Sequence, residues 1–272
     1  MANSTKKRIL VGFDFTKSSE NALNYALMLS EKSNSSITLL HVYDFPLLHT
    51  NSGLYVLDYK TAKSEDLARL EKAKETALKK FPKATIDCVN TADGFKNFVK
   101  DLADKKKVEF VVLGLETKHK ISKYIYGTTS LNLTSKIDCP VIIVPESYTN
   151  HSLINAVISV ETTSGIKKRF VKKATNFTEA HKCTHQLIHV KTEDEFLQIY
   201  EKDSSKVKEK WDIKVVESTD LSSGIKKYLK TNKADMVILF SHSHSVFYKF
   251  FKETNTKLIA FQSKIPVLSI HE

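Results

Sequence analysis

The sequence predicts an α/β fold of two tandem doubly wound units, each with a five-stranded parallel sheet covered by helices on both faces. Two observations support this prediction. Short apolar runs alternate with helical segments along the 272 residues, and this alternation is typical of crossover connections in a parallel sheet. The same order of runs then appears a second time, which indicates an internal duplication.

The first half supplies five predicted strands and four predicted helices. The run "RILVGFD" is continuously apolar before Asp14, as expected of a strand buried on both faces. The helix after it carries Ala22, Tyr25 and Leu29 at helical spacing. The strands are predicted at 8–14, 36–44, 84–90, 108–114 and 139–146, and the helices at 18–33, 58–80, 94–106 and 128–137. A loop around Pro46 and Gly53 precedes the long second helix.

The second half repeats this order in a shorter form. The segments that match are 155–163, 185–194, 220–230, 234–240 and 264–272. A His-Val pair ends the second strand of both halves, as His41-Val42 and His189-Val190. The second copy mostly lacks the long loop and helix that occupy 45–80 in the first. We therefore predict two domains, 1–147 and 148–272.

Composition excludes several classes of function. The net charge of +11 is spread over both halves, so no specific nucleic-acid partner is expected. No run approaches the ~18 apolar residues of a membrane helix. The N-terminus, "MANSTKKRIL", has no apolar signal-peptide core, and a cytoplasmic location is expected. The motifs Gly-x-x-x-x-Gly-Lys-Ser/Thr, Gly-x-Ser-x-Gly and His-Glu-x-x-His are absent. No catalytic or metal-ligating residue is therefore assigned, and slow ATP hydrolysis is the most activity expected.

A set of features spread over nearly the whole chain carries a family resemblance. These are Asp14 at the end of the first strand with Thr16 two residues on, Val42 ending the second strand, Gly114 closing the fourth, Gly127-Thr128 opening the last helix, and the last strand "CPVIIVP". In these features the chain resembles a tandem universal stress protein. The resemblance implies a Rossmann-like five-stranded fold that pairs through its last strand, here by antiparallel contact of "VIIVPE" with "VLSIHE". This pairing would give an intramolecular pseudo-dimer, and a homodimer of chains is left open.

The resemblance also implies a nucleotide loop in "GLETKHKISKYIYGTTS". The nucleotide-binding branch of the family carries Gly-x-x-Gly, nine residues, and then Gly-Ser/Thr. The spacing is kept here between Gly114 and Gly127-Thr128, but the second glycine is Thr117. Backbone N–H groups of Gly127, Thr128 and Thr129 at a helix N-terminus suit a phosphate, whereas a β-branched Thr117 is poorly suited to positive φ.

Two interpretations of the remaining site residues stay open at this point. Asp14 either lies near a ribose or phosphate, with Mg²⁺ in between, or is a cap or turn residue before the first helix. Val42 either packs against adenine or is a core valine. The expected ligand is ATP or another adenine nucleotide, and the alternative is an interaction protein that binds none. In the second half Glu161, Phe240 and Glu253 replace Asp14, Gly114 and Gly127, and this copy is expected not to bind ATP.

Overall fold

The computed structural model describes most of both halves. It covers residues 7–42, 48–50, 53–55, 59–91, 95–104, 108–115, 139–160, 168–192, 212–241 and 264–271. The helix predicted at 128–137 lies outside these residues. The same is true of the connection after 192, where the second half was predicted to lack the long helix of the first.

Twelve strands and five helices lie in the described part of the chain. The strands are β1 (Arg8–Gly12), β2 (Ser36–Val42), β3 (Leu48–Thr50), β4 (Gly53–Tyr55), β5 (Ile86–Thr91), β6 (Phe110–Leu115), β7 (Val141–Pro145), β8 (Asn155–Ser159), β9 (Thr184–Lys191), β10 (Ile213–Glu217), β11 (Met236–Ser241) and β12 (Val267–His271). The helices are α1 (Lys17–Ser33), α2 (Tyr59–Lys80), α3 (Phe95–Asp104), α4 (Lys168–Ala180) and α5 (Leu221–Thr231).

Ten strands form one continuous sheet in the order β10-β9-β8-β11-β12-β7-β6-β1-β2-β5. Read outward from its centre, each half has the same order of five parallel strands, with β7, β6, β1, β2 and β5 matching β12, β11, β8, β9 and β10. The predicted fold class, two tandem five-stranded α/β units, is confirmed. The predicted boundary at 147/148 falls between β7 and β8 and stays a prediction.

The two halves meet through their last strands. β12 pairs with β7 in antiparallel fashion, with Leu268 opposite Ile142 and Ser269 opposite Val141. The predicted contact of "VIIVPE" with "VLSIHE" is therefore confirmed. Each of these strands would otherwise present an unpaired edge of backbone N–H and C=O groups, so the pairing turns two sheets into one.

The sheet separates two apolar cores. On one face, α1, α2 and α4 pack through residues such as Leu27, Leu70 and Phe170. On the other face, α3 and α5 pack through Val99 and Ile225. Helices on both faces are what a doubly wound unit requires.

Two short pieces of β-structure were not predicted from the sequence. The expected loop around Pro46 and Gly53 contains the two-stranded β3–β4 hairpin, whose three-residue strands are too short to show a pattern. The third strand of the second half, β10, was missed because it lies at the sheet edge. Only Val216 of its five residues is buried, so it contains no apolar run.

His181 is buried where the two halves pack together. Its ring centroid lies 4.3 Å from that of Phe177 and 5.8 Å from that of Phe110. Its Nδ1 is hydrogen-bonded to the Phe177 carbonyl at 2.8 Å. Burial lowers the pKa of His181, against smaller raising effects of that hydrogen bond and of Glu109, while Lys32 and Lys7 lower it further.

Acidification is expected to destabilise the fold through His181. Because the folded-state pKa lies below the ordinary value of 6.5, the unfolded chain takes up the proton first. The contribution of the neutral ring to folding stability is therefore complete above the unfolded-state pKa. It is lost as the pH falls through the folded-state pKa. Urea unfolding at about pH 7.5 and about pH 5.5 should show a larger fall in stability for the parent protein than for His181→Gln. Equal falls for the two proteins would contradict this assignment.

Candidate functional site at the carboxyl ends of β1, β2 and β6

A tight turn after β1 joins Asp14 to Thr16. One carboxylate oxygen of Asp14, Oδ1, accepts hydrogen bonds from the backbone nitrogen of Thr16 at 3.1 Å and from its Oγ1 at 2.6 Å. Thr16 is the N-cap of α1, because its Oγ1 accepts from the backbone nitrogen of Ser19 at 3.3 Å. Asp14 is therefore not the cap itself but the group that orients the cap. Its other oxygen, Oδ2, has no hydrogen-bond partner among the residues described.

Phe15, between these two residues, adopts a strained backbone conformation. Its φ is 65°, in the left-handed region that bulky residues rarely occupy. The ring is held on three sides, with Phe13 at 5.4 Å, His41 at 4.6 Å and the Arg69 guanidinium carbon 3.7 Å from its centroid. Such contacts offset the cost of the turn, and strain of this kind clusters at functional sites.

His41 connects the end of β1 to α2. Its Nδ1 is hydrogen-bonded to the Phe13 carbonyl at 2.7 Å, and its Nε2 lies 3.5 Å from Asp66 Oδ2. Asp66 in turn pairs with Arg69 at 3.1 Å. The second half repeats the first of these bonds, since His189 Nδ1 lies 3.0 Å from the Val160 carbonyl. The shared His-Val pair was the sequence signal for this arrangement, and its structural reason is a side chain that fastens the end of the first strand of each half.

Gly114 allows α1 to approach β6. A Cβ built on Gly114 would fall under 3.0 Å from the Ser18 carbonyl and 2.8 Å from the Ser19 nitrogen. The sequence interpretation gave this glycine a role in close approach to a nucleotide. The structure supplies a packing reason, because the first turn of α1 lies directly on β6 at this position. Gly114 thereby lies beside the turn that holds Asp14 and Thr16.

The other predicted site residues fall into two groups. Val42 ends β2, half-buried, and pairs with Thr91 of β5. Thr117 and the predicted phosphate-binding residues Gly127, Thr128 and Thr129 lie outside the described residues. The structure thus brings Asp14, Thr16 and Gly114 together, with Val42 on the neighbouring strand.

A cleft that the sequence interpretation missed lies next to this turn, between α1 and α2. Its volume is about 390 Å³, within the size range of small-molecule pockets. Phe13 and Phe15 form one wall, and Arg69, Lys72 and Lys80 contribute positive charge. Arg69, Lys72 and Lys80 are separated by three and by eight residues along α2. This spacing was the sequence signal that they share one face of the helix.

The equivalent position in the second half is filled. In register, Phe240 of β11 corresponds to Gly114 of β6, because Phe240 pairs with Ile270 as Gly114 pairs with Val144. The Phe240 ring is 8% exposed and packs 5.2 Å from Phe170 of α4. Glu161 and Glu253, the other two replacements, lie outside the described residues.

The described residues contain no cluster of three His, Cys, Asp or Glu side chains that is suited to a metal ion. Among the described helices, none combines the length and apolarity that crossing a membrane requires.

These observations define a duplicated, doubly wound α/β protein whose first copy has a tight turn, with a cleft beside it, at the carboxyl ends of its strands. The sequence pattern of the universal stress protein family matches residues 6–145. The chain belongs to that family. No curated protein sequence matches it.

Solved structures with the same fold extend over the full chain. A universal stress protein from Archaeoglobus fulgidus DSM 4304 superposes with a TM-score of 0.65 at 16% identity, covering 97% of this chain and 98% of that one. A functionally unknown protein from Pseudomonas aeruginosa PAO1 superposes with a TM-score of 0.58 at 12% identity, covering 98% and 92%. At these identities the likeness establishes the tandem fold.

Proposed function

We propose that the first half binds ATP or another adenine nucleotide, with Mg²⁺, at the carboxyl ends of β1 and β6. The observation that carries the proposal is the Asp14–Thr16 turn, held beside Gly114 at that edge of the sheet. Open α/β sheets bind ligands outside the carboxyl ends of their strands. The carboxylate oxygen of Asp14 that Thr16 leaves unused is chemically suited to a ribose hydroxyl or to Mg²⁺.

The remaining predicted residues complete this proposed site. Val42 packs against the adenine, and the backbone N–H groups of Gly127, Thr128 and Thr129 receive the phosphates. Thr117 forms the loop at the position where the nucleotide-binding branch has glycine. No residue is proposed as catalytic, and any ATP hydrolysis is slow.

The second half is proposed to bind no nucleotide and to complete the pseudo-dimer. The Phe240 ring takes the space next to its strand ends, and a ring there excludes a phosphate. With domains at 1–147 and 148–272, the protein acts as a nucleotide-dependent regulatory module of a cytoplasmic stress response.

Calorimetric titration of the purified protein with ATP and Mg²⁺ tests the site. Asp14→Asn keeps the side-chain shape and the Oδ1 acceptor but removes the negative charge, so ATP affinity should fall at least about tenfold. Gly127→Trp should abolish binding by filling the phosphate position. The matched control is Asp220→Asn at the N-cap of α5, which should leave affinity unchanged because asparagine caps as well as aspartate. No heat at millimolar ATP from the parent protein would refute the proposal.

One observation favours the second candidate, an interaction protein that binds no nucleotide. Asp14 Oδ1 is already satisfied by Thr16, so the turn is complete without a ligand, and Thr117 departs from the nucleotide-binding pattern. Mass spectrometry of the protein as purified distinguishes the candidates, because a copurifying adenine nucleotide supports the first. If a nucleotide does copurify, and if Thr117 weakens its binding, Thr117→Gly should raise the affinity for ATP.

A further inference from the structure

A second groove lies at the junction of the two halves, at the opposite end of β6 from Gly114. We call it the α4 groove. Its volume is about 500 Å³, and its lining residues are Lys7, Val108, Glu109, Phe110, Cys139, Pro140, Arg169, Lys173, Asn176, Phe177, Leu268 and Ile270. It is formed by the start of β6 and β7 from the first half and by α4 and β12 from the second.

The floor of the α4 groove is apolar. Phe110, Leu268 and Ile270 are buried, and Phe177 is half-buried. The Phe110 and Phe177 rings meet edge to face with centroids 5.6 Å apart. The buried residues fix the position of Phe177, whose half-exposed ring faces the apolar body of a small ligand.

The rim of the groove is positively charged. Within the part of the chain that the structure describes, three cationic side chains and one carboxylate, that of Glu109, line it. Lys7 pairs with Glu109 at 3.1 Å, and Glu109 also accepts a hydrogen bond from Ser35. Arg169 and Lys173 lie one turn apart on the same face of α4, so two of the three cationic side chains of the rim lie side by side.

The duplication provides an internal comparison. Asn34 and Lys182, both in the left-handed conformation, lie in the helix–strand connections of the two halves. Counted back from them, Arg169 occupies the position of Asn21, and Lys173 occupies that of Tyr25. In the first half the equivalent groove is filled by the protein's own linker.

The linker is held there by the two equivalent residues. Asn21 Nδ2 donates to the carbonyls of Pro145 at 2.8 Å and Tyr148 at 2.9 Å, and the rings of Tyr25 and Tyr148 pack 5.8 Å apart. Tyr148 and Leu153 are buried. At α4, an arginine and a lysine replace the amide and the phenol that hold the linker. The side chains at these positions therefore suit an anion in the second half, whereas in the first half they bind neutral backbone.

We infer that the α4 groove binds a small organic anion. Its apolar body lies against Val108, Pro140 and Phe177, the half-buried apolar residues of the lining, and its carboxylate or phosphate meets Arg169 and Lys173. Arginine supports this pairing because its planar guanidinium binds either group in a bidentate manner. The ligand would contact both halves at once.

The probe for the test is 8-anilinonaphthalene-1-sulfonate, an aromatic anion whose fluorescence rises in apolar surroundings. Arg169→Glu is expected to weaken binding of the probe at least about tenfold, since it reverses the charge that holds the sulfonate. The matched control is Lys168→Glu, an exposed neighbour that does not line the groove. It makes the charge change in almost the same place and should leave binding within about twofold of the parent protein. Equal weakening by both variants would overturn the inference, because it would show a general charge effect.

Competition identifies the ligand chemistry. Octanoate and octyl phosphate should displace the probe, and their ratio distinguishes a carboxylate from a phosphate ligand. Octanol and inorganic phosphate should displace it poorly, because each lacks one of the two required parts. Displacement by octanol as strong as by octanoate would overturn the role of Arg169 and Lys173. Asp14→Asn should leave probe binding unchanged, so failure here and failure of the nucleotide proposal are separate results.

Discussion

Gly114→Ala is expected to destabilise the protein by about 3 kcal/mol or more. The added Cβ would fall under 3.0 Å from the backbone carbonyl of Ser18 and close to the nitrogen of Ser19. Neither atom can move alone, because both belong to the first turn of α1. The whole helix start must then shift away from β6, which opens the core where α1 packs. Denaturant unfolding of the parent and the variant measures the difference.

Gly224→Ala is the matched control for this prediction. Its added Cβ would meet the side chain of Val190, with Cγ2 at 2.9 Å, rather than backbone. Truncating that side chain with Val190→Ala should recover part of the loss in a double-mutant cycle. Ser18→Gly should recover nothing for Gly114→Ala, since the obstructing atoms remain in every residue type. Recovery by Ser18→Gly would contradict the backbone explanation.

The case of Gly114 shows what a sequence motif reveals and what it leaves out. The motif spacing identified the residue, and the resemblance supplied a ligand as the reason. The atoms that require glycine belong to Ser18 and Ser19, almost a hundred positions earlier, and no local pattern marks that contact. In the second half Phe240 is accommodated at the same register position with Phe170 of α4 beside it, so the two copies solve the packing of helix on strand differently.

The fold was predictable wherever strands are buried on both faces. Runs such as "FVVLGL" and "VIIVP" are fully buried in the structure. The antiparallel junction was expected from the family resemblance, which implies pairing through the last strand. β10 was not predicted because it lies at the edge of the sheet, and the β3–β4 hairpin was not predicted because its strands are very short. There, pairing with a neighbouring strand decides the conformation, and the sequence carries too few buried residues to indicate it.

The candidate site was predictable where it is local. Asp14 and Thr16 lie two residues apart and form their hydrogen bonds within one turn. The contacts of His41 with Asp66 and of Arg69 with Phe15 join β2 and the β1 turn to α2. They depend on how α2 docks, and that docking is a tertiary property.

Asn21→Asp is expected to destabilise the protein by about 2–4 kcal/mol near neutral pH. The two side chains have the same shape, but aspartate has no donor for the carbonyls of Pro145 and Tyr148, which Asn21 now binds at 2.8 and 2.9 Å. A carboxylate oxygen would instead face two carbonyl oxygens. The linker between the halves would lose the two hydrogen bonds that attach it to Asn21 of α1, while Tyr148 and Leu153 remain buried. Denaturant unfolding at neutral pH measures the loss.

The pH dependence of this loss tests its cause. His151 Nε2 donates to Asn21 Oδ1 at 2.7 Å, and burial lowers the pKa of His151 in the parent protein. An aspartate at 21 would instead favour the imidazolium and raise that pKa. A group whose pKa is raised in the folded state contributes stability below its unfolded-state pKa, and this contribution is lost as the pH rises through the folded-state pKa. The variant should therefore be least stable, relative to the parent, at mildly alkaline pH.

Asn24→Asp separates the linker contact from the charge alone. Asn24 lies one turn further along α1, is half-buried in the cleft beside α2, and makes no hydrogen bond among the described residues. Its replacement adds the same charge to the same helix and should cost less than about 0.5 kcal/mol. If both variants lose stability equally, the linker is not held by Asn21. The α4 groove would then lose its internal comparison, since Arg169 would no longer stand where an attachment residue stands in the first half.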